Sequence, residues 1–168
     1  MSKLILAGYG EHGKDEVGAL LAERYGMRCT GSSSEANRRF VFKALSSIMG
    51  YADERECYAD RRHHRTLWYE MIRAYNTKDR ARLARDIFES ADVYVGIRDG
   101  EELAAIREAE LADLVIWVDA SERKPVEDAQ SCSIGPEDAD YILNNNGSLE
   151  ALEGEVERLW AWLRKNAA

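Results

Sequence analysis

Short apolar runs alternate with stripes of helical period along the chain. Lys3–Ala7 has strand character, a glycine-rich turn follows, and Val17, Leu20, Leu21 and Tyr25 then recur at the spacing of one helix face. A second short strand is expected at Met27–Thr30, closed by Gly31-Ser32-Ser33-Ser34. Helical patterns come next at about 35–49, 63–75 and 78–90. Val93–Ile97 and Leu114–Val118 read as strands around a helix at about 100–110. Tyr141–Leu143 precedes a last helix from Ser148, with Leu149, Leu152, Val156, Leu159, Trp160 and Leu163 as its buried stripe. Strands alternating with helices predict an α/β fold of about five parallel strands covered on both faces, since parallel strands need crossover connections. Ligands of such sheets gather at the carboxyl ends of the strands.

Composition narrows the class. At 168 residues, with 45% hydrophobic and 32% charged positions, the chain fits one globular domain, 1–168. No apolar run approaches the roughly 18 residues needed to cross a bilayer. Met1-Ser-Lys opens no signal peptide, so the expectation is a cytoplasmic protein with no membrane partner. Cys29, Cys57 and Cys132 lie far apart without a CxxC pair, which suggests neither a disulfide framework nor a zinc site. The formal charge of −8 argues against broad attraction to nucleic acid, yet cations bunch at Arg38-Arg39, at Arg61-Arg62-His63-His64-Arg65 and at 78–85.

The strongest chemical signal is Gly8-Tyr-Gly10-Glu11-His12-Gly13-Lys14, a G-x-x-x-x-G-K spacing directly after a strand and before a helix. Glycines there let backbone N–H groups turn inward around phosphates, the helix N-terminus adds its positive end, and the lysine reaches the outer oxygens. Residues Gly8, Gly10, Glu11, His12, Gly13, Lys14, Asp15 and Glu16 are the expected cradle for ATP phosphates. Asp15 stands where such loops carry a Ser or Thr for Mg²⁺; it either holds the ion, directly or through water, or stabilises the helix start.

With Gly-x-x-x-x-Gly-Lys-Asp the chain resembles phage deoxynucleoside monophosphate kinases. The segment Ala139-Asp140-Tyr-Ile-Leu-Asn144-Asn-Asn-Gly147-Ser-Leu is similar to the last strand and helix of those enzymes and of dephospho-coenzyme A kinases. Over most of its length it resembles a set of small phage P-loop kinases, through Gly8–Asp15, Ser32–Ser34, Asp60–Arg65 and Tyr94–Arg98. Some of that group are identified as kinases of 5-hydroxymethyluracil in DNA. The resemblance implies a three-layer P-loop kinase fold, ATP and Mg²⁺ as cofactors, and a cytoplasmic setting in a phage-infected cell. It also implies a deoxynucleotide or 5-hydroxymethyluracil-containing DNA as acceptor, a helical acceptor-binding insertion at about 32–90 and a short lid at about 120–134.

The remaining candidates follow from position. Arg98 closes the third long strand and would meet acceptor or transferring phosphoryl, or else pair with Asp99, Glu101 or Glu102. Related kinases end that strand in Asp-x-Arg; Gly96 replaces the acid here, which leaves Asp15 or Asp119 to supply a metal carboxylate. In the lid, Arg123 or Lys124 would cover the phosphates. Arg61, His64, Arg65 and Trp68 share a helical face suited to a nucleotide, with Asp60 or His64 as a base for a hydroxyl proton; a solvated helix with Trp68 in the core is the bland alternative. Ser32, Ser33, Ser34 and Arg38 complete the expected acceptor pocket. A catalytically silent nucleotide-binding module is the rival from another class.

Overall fold

A computed structural model of the chain describes residues 2–127 and 132–166. Five strands, β1 (Leu4–Ala7), β2 (Cys29–Gly31), β3 (Val93–Ile97), β4 (Leu114–Asp119) and β5 (Tyr141–Asn144), form one parallel sheet in the order β2-β3-β1-β4-β5. Because side chains alternate along a strand, the sheet feeds two cores. Leu4, Leu6, Val93, Val95, Ile116, Val118 and Leu143 pack under α1 (Lys14–Tyr25) and α8 (Leu149–Asn166). Ile5, Ala7, Tyr94, Ile97, Val115 and Trp117 pack under α6 (Arg82–Phe88) and α7 (Gly100–Glu108). Each fully buried aliphatic side chain contributes about 1.5–3 kcal/mol, so the three-layer arrangement follows from the apolar alternation.

Between β2 and β3 lies the helical insertion. Helix α2 (Ser32–Ala36), a π-helical stretch (Asn37–Val41) and α3 (Phe42–Met49) run on from one another; α4 (Glu54–Asp60), a 3₁₀ turn (Arg61–His63) and α5 (Arg65–Tyr75) follow. They enclose a core of their own, Ala36, Val41, Leu45, Cys57 and Trp68. Asn37 is buried at the π stretch and its Nδ2 donates to the Glu54 carbonyl at 2.7 Å, which ties the first helical run to the second.

Several boundaries differ from the pattern-based reading, each for a local reason. The second strand starts at Cys29 rather than Met27, because the Met27 N–H still serves the end of α1 by donating to Leu21 O at 3.3 Å. Helix α4 was not expected: only Cys57 is buried along it, so no apolar stripe marks it, and its start rests on the Asp53 carboxylate accepting from Glu56 N at 2.9 Å. Helix α6 is shorter than 78–90, since a turn precedes it in which the Asp79 carboxylate accepts from Ala81 N at 3.0 Å and the Asp79 carbonyl from Arg82 N at 3.0 Å. Leu149 is 64% exposed at the first turn of α8 and does not belong to the buried stripe. Among the described residues no helix is long and apolar enough to cross a membrane.

Candidate active site

Residues 8–13 turn between β1 and α1, with Gly8 at φ 145° and Gly13 at φ 95°. Added Cβ atoms there would approach Val118 O to 2.6 Å and Asn145 Nδ2 to 2.2 Å, so both positions demand glycine. The loop is clamped from the ends of β4 and β5. Asn145 Nδ2 donates to His12 O at 2.9 Å, and the buried His12 ring accepts Ala120 N–H on Nδ1 at 3.0 Å. His12 Nε2 faces Pro125 O at 3.2 Å and therefore carries the proton.

Lys14 folds over its own loop, donating from Nζ to Gly8 O at 2.7 Å and Tyr9 O at 2.6 Å. Burial, reinforced by the nearby Arg98 cation, brings its pKa down to about 8. A carboxylate sits at the mouth of the loop. Glu127 Oε2 accepts Gly10 N–H at 2.8 Å, and Arg98 Nη1 donates to Oε1 and Oε2 at 3.0 and 2.9 Å. Burial pushes the Glu127 carboxyl up, but Gly10 N–H and Arg98 outweigh it and hold it below the usual range. An anion already accepts from the loop here, so the donor set suits the oxygens of a phosphate.

A single cleft of about 1600 Å³ runs from this loop to the helical insertion. Of the residues singled out in the sequence, Gly10, Glu11, Gly13, Lys14, Asp15, Glu16, Ser32, Ser33, Arg61, Arg65, Trp68, Arg98 and Arg123 line it. The others do not. Gly8 and His12 support the loop from behind. Ser34 lies outside the lining, and Arg38 is drawn away by the buried Glu35, donating to its Oε1 at 2.6 Å. Asp60 accepts Tyr51 O–H at 2.7 Å and lies 3.1 Å from His64 Nε2, so the two groups considered as a proton acceptor bind each other and Tyr51. Asp119 accepts Ser121 N–H at 3.2 Å and Asn146 Nδ2 at 3.1 Å, tying the β4 and β5 ends together. Four residues of the expected lid, 128–131, lie outside the described residues.

Trp68 belongs to the insertion core while reaching the cleft wall, and its Nε1 has no hydrogen-bond partner among the described residues. The Arg61 guanidinium stacks over Tyr58 at 4.2 Å. The cleft also recruits residues that the sequence did not single out, among them Tyr58, Tyr69, Arg73 and Glu127. Arginine periodicity through α5 could have flagged Arg73; nothing in the sequence marks Glu127, which comes from an aperiodic loop.

Gly96 also acquires a reason. Leu6 pairs with Val95 but Ala7 with Ile97, so Gly96 is an extra residue in β3 with φ 92°, a conformation hostile to a side chain. The bulge presents Gly96 O to Ser32 Oγ at 3.1 Å and aims Arg98 at the loop. For Mg²⁺, no group of three or more His, Cys, Asp or Glu converges among the described residues. Asp15, beside Lys14 on the cleft wall, fits an ion whose remaining ligands are phosphate oxygens and water.

No protein-family model and no curated protein matches the chain. Solved structures do. Shikimate kinase from Aquifex aeolicus is similar over 98% of each chain, at 17% identity and a TM-score of 0.56. This is the P-loop kinase fold. Dephospho-CoA kinase from Campylobacter jejuni, at 13% identity, covers 99% of this chain and 98% of its own with a TM-score of 0.53. APS kinase from Mycobacterium tuberculosis, at 18% identity over 97% of each chain, has a TM-score of 0.50. At such identities the likeness is one of fold, and the chemistry has to be argued from the cleft itself.

Proposed function

We propose that this chain transfers the γ-phosphate of ATP to a deoxynucleotide-type acceptor, with the hydroxymethyl group of 5-hydroxymethyldeoxyuridine in DNA as the preferred one. The reading rests on the cleft: about 1600 Å³ in one space, against the roughly 300–1,000 Å³ of a site for one small ligand. ATP phosphates sit at Gly10–Lys14, and Mg²⁺, held in part by Asp15, supplies charge neutralisation at the transferring group. Lys14 exchanges its loop carbonyls for phosphate oxygens, and Arg98 stabilises the equatorial charge as the phosphoryl moves. The acceptor lies toward Ser32, Ser33, Arg61 and Arg65, where arginines meet its phosphates and Tyr58 and Trp68 flank the base.

A deoxynucleoside monophosphate as acceptor is the second reading, favoured by one observation. Asp60 and His64 are engaged with each other and with Tyr51, and a monophosphate oxygen, already ionised, needs no base. The test is transfer from γ-³²P-ATP with Mg²⁺, offered in parallel to deoxynucleoside monophosphates and to duplex DNA containing 5-hydroxymethyluracil, with Lys14→Ala as control. Label in DNA supports the first reading and label in diphosphates the second. ATP binding without label would leave a silent nucleotide-binding module.

A further inference from the structure

Glu102 is a carboxyl group almost without water: 5% exposed, on the first turn of α7, and yet on the wall of the cleft. One oxygen is occupied, since Tyr94 O–H donates to Oε1 at 2.9 Å; Oε2 has no hydrogen-bond partner among the described residues. The groups facing it come from every neighbouring element. Tyr94 belongs to β3, and Asp99 caps α7 by accepting from Glu101 N and Glu102 N. None of these is a cation. A carboxylate needing no more than its fold would not ordinarily be buried without a cationic partner. Burial raises its pKa to about 7, with Tyr94 opposing and Asp99 adding to the rise. Ser32, Gly96 and Arg98, which share this wall, place the group at the carboxyl ends of β2 and β3, on the acceptor side of the phosphate loop.

We infer that Glu102 is the general base of this cleft, taking the proton of an acceptor hydroxyl on Oε2 while Tyr94 holds Oε1 in place. In the step, the hydroxyl oxygen bonds to the γ-phosphorus and its proton passes to Glu102. The bond from that phosphorus to the β,γ-bridging oxygen breaks, ADP leaves with the electron pair, and Glu102 returns the proton to water. Tyr94 is a positioning residue. The inference rests on the hydroxyl reading of the acceptor, and it supplies the base that Asp60 and His64 do not.

Glu102→Gln keeps the size and the acceptor for Tyr94. It is expected to lower kcat/KM toward 5-hydroxymethyluracil DNA by about 10²–10⁴-fold, with affinity for a fluorescent ATP analogue preserved and the thermal midpoint at pH 6 not lowered. Wild-type kcat/KM should rise with pH through about 7, and the variant should lose that limb. Tyr94→Phe removes a bond that favours the carboxylate, so its limb should move to higher pH, a shift that a merely structural role would not produce. A Gln variant with at least half of wild-type activity and an unmoved pH profile overturns the assignment while phosphotransfer stands. A wild type that labels no acceptor overturns the reading beneath it.

Discussion

The two edges of the sheet treat their polar groups in opposite ways. At the amino edge, charges are matched within the fold. Asp92, 3% exposed, accepts three hydrogen bonds from Arg28, from N at 3.1 Å, Nε at 2.9 Å and Nη2 at 2.8 Å. Lys3 lies 3.8 Å from Asp92 and donates to Phe88 O and Ala91 O, while its N–H meets Asp113. At the carboxyl edge, among the described residues, Lys14 donates only to its own loop carbonyls, Trp68 Nε1 has no hydrogen-bond partner, and Glu102 is buried without a cation. A fold optimised for stability alone would resemble the first edge throughout; the second keeps donors and acceptors ready for something that is not protein.

Four measurements would break or sharpen that contrast. The largest effect is expected from Lys14→Met, which should reduce phosphotransfer by about 10³-fold or more. Because the folded lysine has a pKa of about 8 against an ordinary 10.5, its burial costs stability below pH 8, and that cost disappears as pH rises from 8 to 10.5. The Met variant should therefore melt higher than wild type at pH 7; a lower midpoint would place Lys14 among the structural groups.

Glu102 comes next. Its folded pKa of about 7 exceeds the ordinary 4.5, so wild-type stability is full below pH 4.5 and falls as pH rises through 7. Glu102→Gln should remove that fall, leaving the variant about 3 kcal/mol more stable than wild type at pH 8. Urea titrations at pH 5 and pH 8 read the difference.

The amino edge should show the reverse. Hydrogen bonds from Arg28 bring Asp92 down to about 2, so its contribution is present above the ordinary 3.8 and vanishes as pH falls through 2. Asp92→Asn should lose about 1–2 kcal/mol at pH 7, discounted because Arg28 is largely exposed, with no change in kcat. The smallest effect is at Glu127: Glu127→Ala removes a carboxylate from the phosphate position and should tighten ATP by about threefold to tenfold, a gain of about 1 kcal/mol, measurable by calorimetry. Weaker binding would make Glu127 a nucleotide ligand rather than a stand-in.

The fold was legible in the sequence because its signals are local and redundant. Val93–Ile97 is found with the expected bounds, and Leu4–Ala7, Leu114–Asp119 and Tyr141–Asn144 differ from the expected runs by single residues. The glycine-rich turn between β1 and α1 was legible for the same reason, since its spacing and both flanks are contiguous. The acceptor half was legible only in part. Arg61, Arg65 and Trp68 do reach the cleft, but Asp60, read from the same short motif, turns to Tyr51 and holds His64 with it, because the 3₁₀ turn at Arg61–His63 interrupts the helical phase that would have kept them with the arginines. Glu102 was read only as a surface partner for Arg98 and Tyr94 only as part of the Tyr94–Arg98 motif, so their pairing escaped notice. Their meeting joins a strand to the following helix across the α7 cap, and a sequence lists a buried glutamate and a solvated one in the same letter.

The π stretch at Asn37–Val41 has a bearing on how this chain tolerates length change. A π turn accommodates one residue more than an α turn, so it stores a single-residue insertion inside a helix instead of expelling it as a loop. Deleting one residue there should let α2 and α3 continue as ordinary helix with both outer faces still in phase. The same deletion elsewhere in 32–49 would swing one end by about 100° against the other and pull Leu45 out of the insertion core. In evolutionary terms, the stretch marks where the helical insertion can gain or lose a residue without the rest of the domain registering it.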